Sequence, residues 1–364
     1  MSTLELAAPV AAPVRPPAWR WIRLALAVAV LCYLPVVLTD RAVFGVRLSN
    51  MQLLNIGLSQ VNLMLIAMLG SVSLTYLTGC AGLISIGHAA FYAVGAMAGA
   101  IVGTQWGLPF PVALLAAAGL GAVVGVLAGL PSLRVRGLYF LLSTLAMHHI
   151  AKFVLSEYQY KFFDVVGIPF QEAKLGSFVL DTPMRWYFFL LPVVILVFLG
   201  LRNSMRSREG RALLAMRDHE LAATSAGIDV RVLRLKVFGL SSSIAAVAGC
   251  LYAYYMTNVN AEFFNLNFAI QFIAMIIIGG MGSLAGAAIG AALWLLLPAV
   301  ITGFATQAGA SGAAWAQFLS ANKPQMVNLT FGVLVVLLLI FAPGGIAGLA
   351  RQLRNKYLSG RGGQ

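Results

Sequence analysis

Residues 201–229 read LRNSMRSREGRALLAMRDHELAATSAGID, a polar stretch with five arginines and four acids between long apolar segments. Such a stretch cannot lie in hydrocarbon, because each charge would lose its hydration without an assured partner. Glu209 to Ala226 holds one glycine and no proline, which predicts a short helix that ends before Gly227. Glu209 would lie at the positive amino end of that helix. A modest apolar side would dock on another protein, and it consists of Leu213, Met216, Leu221 and Ala223.

The composition excludes a water-soluble protein. Of the 364 residues, 60% are hydrophobic and 10% are charged, whereas soluble domains carry roughly 25% charged residues. The net charge of +13 does not indicate a nucleic-acid partner, because the basic residues are scattered at the ends of apolar segments. The three cysteines Cys32, Cys80 and Cys250 lie far apart in apolar segments, which favours buried small residues over a disulfide.

Apolar segments long enough to cross a bilayer recur along the chain. We therefore predict an all-α, polytopic membrane protein with about ten transmembrane helices. The segments are roughly 22–39, 51–73, 86–103, 108–130, 137–156, 186–201, 232–256, 267–280, 284–303 and 327–347. Segment 267–280 is short, and glycines interrupt the helical pattern at 77–86 and 279–286.

Basic residues indicate the orientation. Ten crossings with a cytoplasmic amino terminus place 17 of the 24 lysines and arginines inside, together with both termini and the polar stretch. The predicted organisation is a flexible cytoplasmic tail at 1–21, a transmembrane domain at 22–347 and a basic cytoplasmic tail at 348–364. The long outer connections 157–185 and 304–326 could form lids or short helices, or remain ordinary solvated loops.

The chain shows no means of driving transport by itself. All eleven acids fall outside the proposed spans or at their edges, whereas ion-coupled carriers usually need ionisable groups at mid-membrane. No G-x-x-x-x-G-K-[ST] loop is present to hold nucleotide phosphates. We therefore expect energy to arrive through the polar stretch from a separate protein.

Catalytic and metal sites are not predicted. His148 and His149 are adjacent, so on a helix they point about 100° apart and cannot form an i, i+4 ligand pair. His88 stands alone, and no serine–histidine–acid set can be assembled. We expect no enzyme activity, no metal and no cofactor bound by this chain.

Glycines recur every fourth residue at 121, 125 and 129 and again at 282, 286 and 290. This spacing predicts close helix packing. Glycines near 79–87 and 279–282 could instead break helices, and broken helices at membrane depth often line a substrate path. The polar side chains nearest these breaks are the candidate path residues, namely Thr78, Ser85, His88, Ser143 and Thr144.

Four motifs carry a resemblance to a known family. TGCAGLISIGHAAFYAVGA (78–96), GLPSLRVRGLYF (129–140), EGRALLAMRDHELAATSAGID (209–229) and IIIGGMGSLAGAAIGA (276–291) resemble the LivM-type membrane subunits of branched-chain amino acid ABC importers. The resemblance covers about 80–340. It implies that 208–227 is a coupling helix fitting a groove on an ATPase subunit. By position, the residues it implicates are Glu209, Gly210, Arg211, Ala222, Ala223 and Gly227.

The sequence departs from the wider importer signature at one place. That signature puts glutamate directly before two alanines, whereas Leu221 follows Glu220 here and the later leucine–proline pair is missing. LivM-like proteins commonly show this variant. The amino-terminal 50 residues carry no usable resemblance.

The resemblance implies a five-part importer in the bacterial inner (plasma) membrane. Its partners would be a second, LivH-like permease, two cytoplasmic ATPase subunits that use ATP and magnesium, an extracytoplasmic solute-binding protein and membrane lipid. Substrates would be branched-chain or other hydrophobic amino acids, with urea or short amides as the variation known in the wider group. From the residues alone, a stand-alone channel or an ion-driven carrier stays open.

Overall fold

The computed structural model describes residues 57–135, 137–163, 167–176, 178–309, 322–341, 344–349 and 352. Within them, six helices are long and apolar enough to cross a membrane. The spans are Leu58–Cys80, Phe110–Leu133, Leu138–Phe162, Pro183–Arg206, Val230–Met256 and Leu284–Gly303. The protein is therefore an all-α, multi-pass membrane protein, which confirms the predicted fold class.

Helices and a few two-residue strands make up the described part of the chain. The first helices are α1 Leu58–Thr75, α2 His88–Gly99, α3 Phe110–Gly129, α4 Leu138–Phe162, α5 Pro183–Arg206 and α6 Arg208–Asp218. The helices that follow are α7 Glu220–Ser225, α8 Val230–Met256, α9 Leu266–Gly279, α10 Leu284–Gly309 and α11 Lys323–Phe341. The strands are β1 Ile168–Pro169, β2 Lys174–Leu175, β3 Phe178–Val179 and β4 Asn258–Val259.

The predicted apolar segments coincide with helices wherever the structure describes them. The short segment 267–280 is α9, segment 86–103 is α2 with a π-helical continuation at Ala100–Gln105, and segment 327–347 overlaps α11. Segment 22–39 lies outside the described residues. The count of ten spans therefore stays a prediction.

Two largely buried helices, α1 and α8, form the centre of the membrane domain. Helices α2, α3 and α8 pack closely on one another, and α1 contacts α5, α8 and α10. Small residues permit this closeness. A Cβ at Gly121 would press on the Ala246 side chain, and one at Gly125 on the Ser242 hydroxyl. The predicted glycine stripe of α3 is thus a helix-packing surface.

Both predicted glycine interruptions are breaks in helices. After α1 the chain makes a π-helical turn, Tyr76–Cys80, and residues 82–87 are not helical before α2 begins at His88. Helix α9 ends at Gly279, and the next residue is Gly280, whose φ of 107° lies in the region that favours glycine. The two breaks touch, since a Cβ on Gly79 would lie 2.5 Å from the Cα of Gly282.

At the end of the membrane domain opposite the polar stretch, the connection after α4 folds as strands rather than as short helices. Strand β1 pairs antiparallel with β4, with Ile168 opposite Val259, and β2 pairs with β3 as a hairpin. Phe170 and Leu180 are buried in the chain itself, so this connection packs on its own subunit. Residues 310–321 of the second long connection lie outside the described residues.

Candidate functional site

The polar stretch forms two helices where one was predicted. Helix α6 is capped by Ser207, whose Oγ accepts a hydrogen bond of 3.2 Å from the Gly210 amide, and it ends before His219. There the backbone is extended (φ −149°, ψ 96°) before α7 begins. Gly227 follows α7 with φ 81°, as the predicted helix end requires. The extended residue at 219 interrupts the helical hydrogen bonding, so the coupling helix predicted at 208–227 has two parts that can contact different elements.

The apolar side of these helices faces the chain's own membrane domain. Leu213, Met216 and Ala223 are 1%, 4% and 3% exposed. The prediction that this side docks on another protein is therefore wrong for these three residues, because the helices that surround them bury the same apolar surface. Leu221 is the exception and is 80% exposed.

The implicated coupling residues separate into two groups. Glu209, Arg211, Ala222 and Gly227 are exposed, whereas Gly210 and Ala223 are buried. A Cβ at position 210 would collide with the Ser204 and Met205 carbonyl oxygens, so Gly210 permits the tight corner between α5 and α6. The Glu209 carboxylate accepts a hydrogen bond of 2.6 Å from Lys236, and both side chains are more than half exposed.

Arg217, in the last turn of α6, joins the polar stretch to the first helix break. Its Nη1 donates a hydrogen bond of 2.7 Å to the Gly79 carbonyl, and its Nε and Nη2 contact Asp218 Oδ1. The aliphatic part of the side chain crosses Gly82, where a Cβ would lie 2.8 Å from Arg217 Cγ. The contact links two segments 138 residues apart.

Arg234, in the first turns of α8, makes a second connection. Its Nη2 donates to Glu220 Oε2 and its Nη1 to the Ser132 carbonyl, both at 2.7 Å. Arg234 is 7% exposed, so this ion pair is largely removed from water. Helix α7 is thereby fixed to α8 and to the turn between α3 and α4.

The two arginines border one cavity of about 450 Å³. Leu83, Leu138 and Leu141 contribute apolar walls, and Met216 and Glu220 come from the polar stretch. The cavity lies between the first helix break, the start of α4 and helices α6 and α7.

Neither Arg217 nor Arg234 was singled out from the sequence. Both were assigned only to the inner side by their positive charge. Arg234 carries a weak sequence signal, because it is a charge near the start of an otherwise apolar segment. Their partners Gly79 and Ser132 are too distant in sequence for any local pattern to reveal them.

The candidate path residues do not share one opening. Thr144 is buried, and its Oγ1 accepts a 3.3 Å hydrogen bond from the Ile86 amide, which brings it beside Ser85. His88 is buried and pairs through Nε2 with Ser73 Oγ at 2.7 Å. Thr78 donates to the Leu74 carbonyl in its own helix, and Ser143 is half-buried. None of the five lines the cavity described above.

Metal binding finds no support in the described part of the chain, which holds no group of three or more potential metal-ligating side chains. Ser73 and His88 have no acid among their hydrogen-bond partners in that part. The site is therefore a set of mechanical connections between helices.

Comparison with known proteins identifies the family. The model of the family described as branched-chain amino acid transport system / permease component matches residues 56–343. The high-affinity branched-chain amino acid transport system permease protein LivM of Escherichia coli K12 is 28% identical over 318 residues, which is 80% of this chain and 70% of that protein. LivM of Salmonella typhimurium LT2 is 27% identical, with the same coverage of both chains.

The chain is also similar to a permease named LivH. The probable branched-chain amino acid transport permease protein LivH of Methanocaldococcus jannaschii is 29% identical over 210 residues, which is 57% of each chain. The family match covers the membrane domain, both helix breaks and the polar stretch. This chain therefore belongs to the family of branched-chain amino acid transport permeases.

Proposed function

We propose that this chain is the permease subunit of an ATP-binding-cassette importer that moves branched-chain or other hydrophobic amino acids across a bacterial inner membrane. The hydrogen bond from Arg217 to Gly79 carries this proposal, because it connects the polar stretch directly to a broken membrane helix. Broken helices in membrane proteins are where substrate paths are commonly formed. A force applied to α6 would therefore act on the break.

The force comes from a partner. In the proposed importer, two cytoplasmic ATPase subunits bind ATP and magnesium and contact the exposed surface of α6 and α7. The exposed residues proposed for this contact are Glu209, Arg211, Leu221, Ala222 and Gly227. Gly210 and Ala223 support the same surface from beneath. A partner can shift a permease between two states only through contacts that differ between those states, and these exposed residues can make such contacts.

The orientation and the organisation of the chain are part of the same proposal. The polar stretch lies in the cytoplasm with both termini, the tails are 1–21 and 348–364, and the membrane domain is 22–347. A second, LivH-like permease completes the membrane part, and an extracytoplasmic solute-binding protein delivers the solute to the opposite face. The chain itself performs no hydrolysis.

Of the candidate path residues, two lie at the first helix break. Ser85 and Thr144 lie together where the first break meets α4, so a movement of the break would expose them. His88, Thr78 and Ser143 stay candidates for the path. Ser85 Oγ is buried without a hydrogen-bond partner in the described residues, which fits a group that gains a partner in another state.

Reconstitution tests the proposal. Proteoliposomes that hold the chain with a second permease and the ATPases, and that receive binding protein outside, are expected to accumulate labelled leucine, isoleucine or valine only with ATP inside. If urea or a short amide stimulated ATP hydrolysis and these amino acids did not, the proposed substrate would be urea or a short amide instead. Solute flux through the chain alone, without any ATPase, would overturn the proposal in favour of a channel or an ion-driven carrier.

A further inference from the structure

The cavity that Arg217 and Arg234 border has the size and the lining of a small-molecule site. Its volume of about 450 Å³ falls within the range of about 300–1,000 Å³ that ligand pockets occupy. Most of its lining residues are apolar and a few are charged, which is the composition that such pockets share. The function proposed above makes no use of this space, since it depends on the hydrogen bond from Arg217 to Gly79.

Both signs of charge are present in the cavity wall. Arg234 is 7% exposed, and its Nη1 and Nη2 donate to the Ser132 carbonyl and to Glu220 Oε2. Its Nε is buried and has no hydrogen-bond partner within the described residues. Buried N–H groups without a partner are uncommon and indicate an acceptor supplied by water or by a ligand. A carboxylate at this wall would supply that acceptor, and Glu220 would attract a positive charge beside it.

Charge and apolar surface together select the class of occupant. The side chains of Leu83, Val135 and Leu141 line the cavity, and they favour an aliphatic group over a sugar or a nucleotide. The Glu220 carboxylate disfavours a phosphate or another purely anionic group, and the two guanidinium groups disfavour a simple amine. A molecule with one carboxylate, one ammonium and an aliphatic side chain meets all of these conditions.

We propose that this cavity binds the imported amino acid from the cytoplasmic side and that the bound amino acid slows further import. This inference rests on the function proposed above, which supplies both the amino acid and the orientation. The cavity wall combines Met216, Arg217 and Glu220 of the polar stretch with residues of the first helix break and the start of α4. An occupant would contact both parts. It would stabilise the arrangement in which the cavity is formed, because a ligand shifts a protein toward the state that it binds more tightly.

Proteoliposomes loaded with unlabelled leucine test this inference. They hold the assembled importer with ATP inside, and they receive binding protein and labelled leucine outside. Saturating internal leucine is expected to lower the initial rate of labelled uptake by about fivefold or more, as couplings between two sites commonly do. An unchanged rate would overturn the inference.

Two analogues of leucine test which groups the cavity recognises. N-acetyl-leucine lacks the ammonium group, and leucinamide lacks the carboxylate. Each is expected to need about a tenfold higher internal concentration or more for the same inhibition, because each loses one charged hydrogen bond. Inhibition by either analogue at the concentration that suffices for leucine would overturn the inference, since the cavity would then not recognise both charges.

Cavity-filling variants locate the effect. Leu141→Trp and Leu138→Trp each place an indole at the cavity wall, and Leu138 is 72% exposed, so the fold has room for the larger side chain. Leu142→Trp is the matched control, because Leu142 is 50% exposed on the same helix and is not among the residues that line the cavity. Each variant is compared with itself, as the ratio of its uptake rates without and with internal leucine.

The ratio is expected to fall close to one in both cavity variants and to stay at about five or more in the Leu142→Trp control. A ratio that stays at the parent value in the cavity variants would place leucine elsewhere and overturn the inference. Uptake by the parent importer that depends on ATP but ignores internal leucine would contradict this inference alone. Uptake that does not depend on ATP would contradict the proposed function.

Discussion

The Arg217 guanidinium donates a 2.7 Å hydrogen bond to the Gly79 carbonyl, which belongs to the π-helical turn at the end of α1. One side chain thus connects the polar stretch to the place where the first helix break meets the second. The Gly79 carbonyl lies near the end of a helix, where carbonyl groups lack partners in the next turn. Arg217 therefore stabilises an end that would otherwise be incompletely hydrogen-bonded.

Replacing Arg217 with alanine should uncouple the importer. A hydrogen bond to a charged group contributes about 1.5–3 kcal/mol, so its loss is expected to lower ATP-dependent uptake by about tenfold or more. ATP hydrolysis by the assembled complex should continue, because Glu209 and Arg211, the proposed contact residues on α6, are unchanged. Arg231→Ala is the matched control, since Arg231 is an exposed arginine at the start of α8. Equal uptake by the two variants would contradict a transmitting role for Arg217.

Replacing Gly79 with alanine tests the contact between the two breaks. The added Cβ would lie 2.5 Å from the Cα of Gly282 and 2.8 Å from its nitrogen. Backbone atoms cannot rotate away, so the unfolding free energy should fall by about 1–3 kcal/mol or more. Melting temperature in detergent, followed by size-exclusion chromatography, measures this. Gly119→Ala on α3 is the control, because no atom lies within 4 Å of its added Cβ, and it should melt no lower than the parent protein.

Helix positions could be predicted from the sequence because hydrocarbon demands long apolar segments, and this requirement is local. The breaks were also predictable, since Gly79, Gly82 and Gly280 interrupt otherwise helical patterns. The strands β1 and β4 were not, because two-residue pairings between distant connections leave no periodic signal. The division of the polar stretch at His219 was missed for a similar reason, as histidine is not a strong helix breaker.

The site was less predictable than the fold. Glu209 and Arg211 are exposed, as expected of residues in a polar segment, and their role in coupling stays a prediction. The apolar side of the same segment was predicted to contact a partner protein, although Leu213 and Met216 are buried by this chain. An amphipathic pattern indicates that one face of a helix is covered, but it does not indicate which element or protein covers that face. Arg217 and Arg234 depended on tertiary contacts across more than 100 residues.

Removing one partner of the buried Arg234–Glu220 pair should be costly. Arg234→Met removes the guanidinium that contacts Glu220 Oε2 and leaves the Ser132 carbonyl without that donor. Breaking a buried pair in this way costs about 3–5 kcal/mol, whereas replacing both partners by apolar residues is often close to neutral. The double variant Arg234→Met with Glu220→Leu should therefore melt higher than Arg234→Met alone. Lys236→Ala, which removes the exposed pair with Glu209, should change stability by about 1 kcal/mol or less.

Leu221 offers the clearest test of where the ATPase binds. It is 80% exposed on α7, beside the exposed Ala222 and two positions before the buried Ala223. Leu221→Asp should leave the permease folded, because the side chain has little contact with its own chain. If the ATPase covers this position, a carboxylate there would be buried without a partner, and association should weaken by about 1–3 kcal/mol, or roughly tenfold or more. Co-purification of the ATPase with tagged permease measures the loss. Thr224→Asp introduces the same charge three residues further along the same exposed side of α7, so it tests how far the contact extends. An ATPase yield that falls for Thr224→Asp but not for Leu221→Asp would move the contact toward the carboxyl end of α7, and unchanged yields for both variants would place it away from α7.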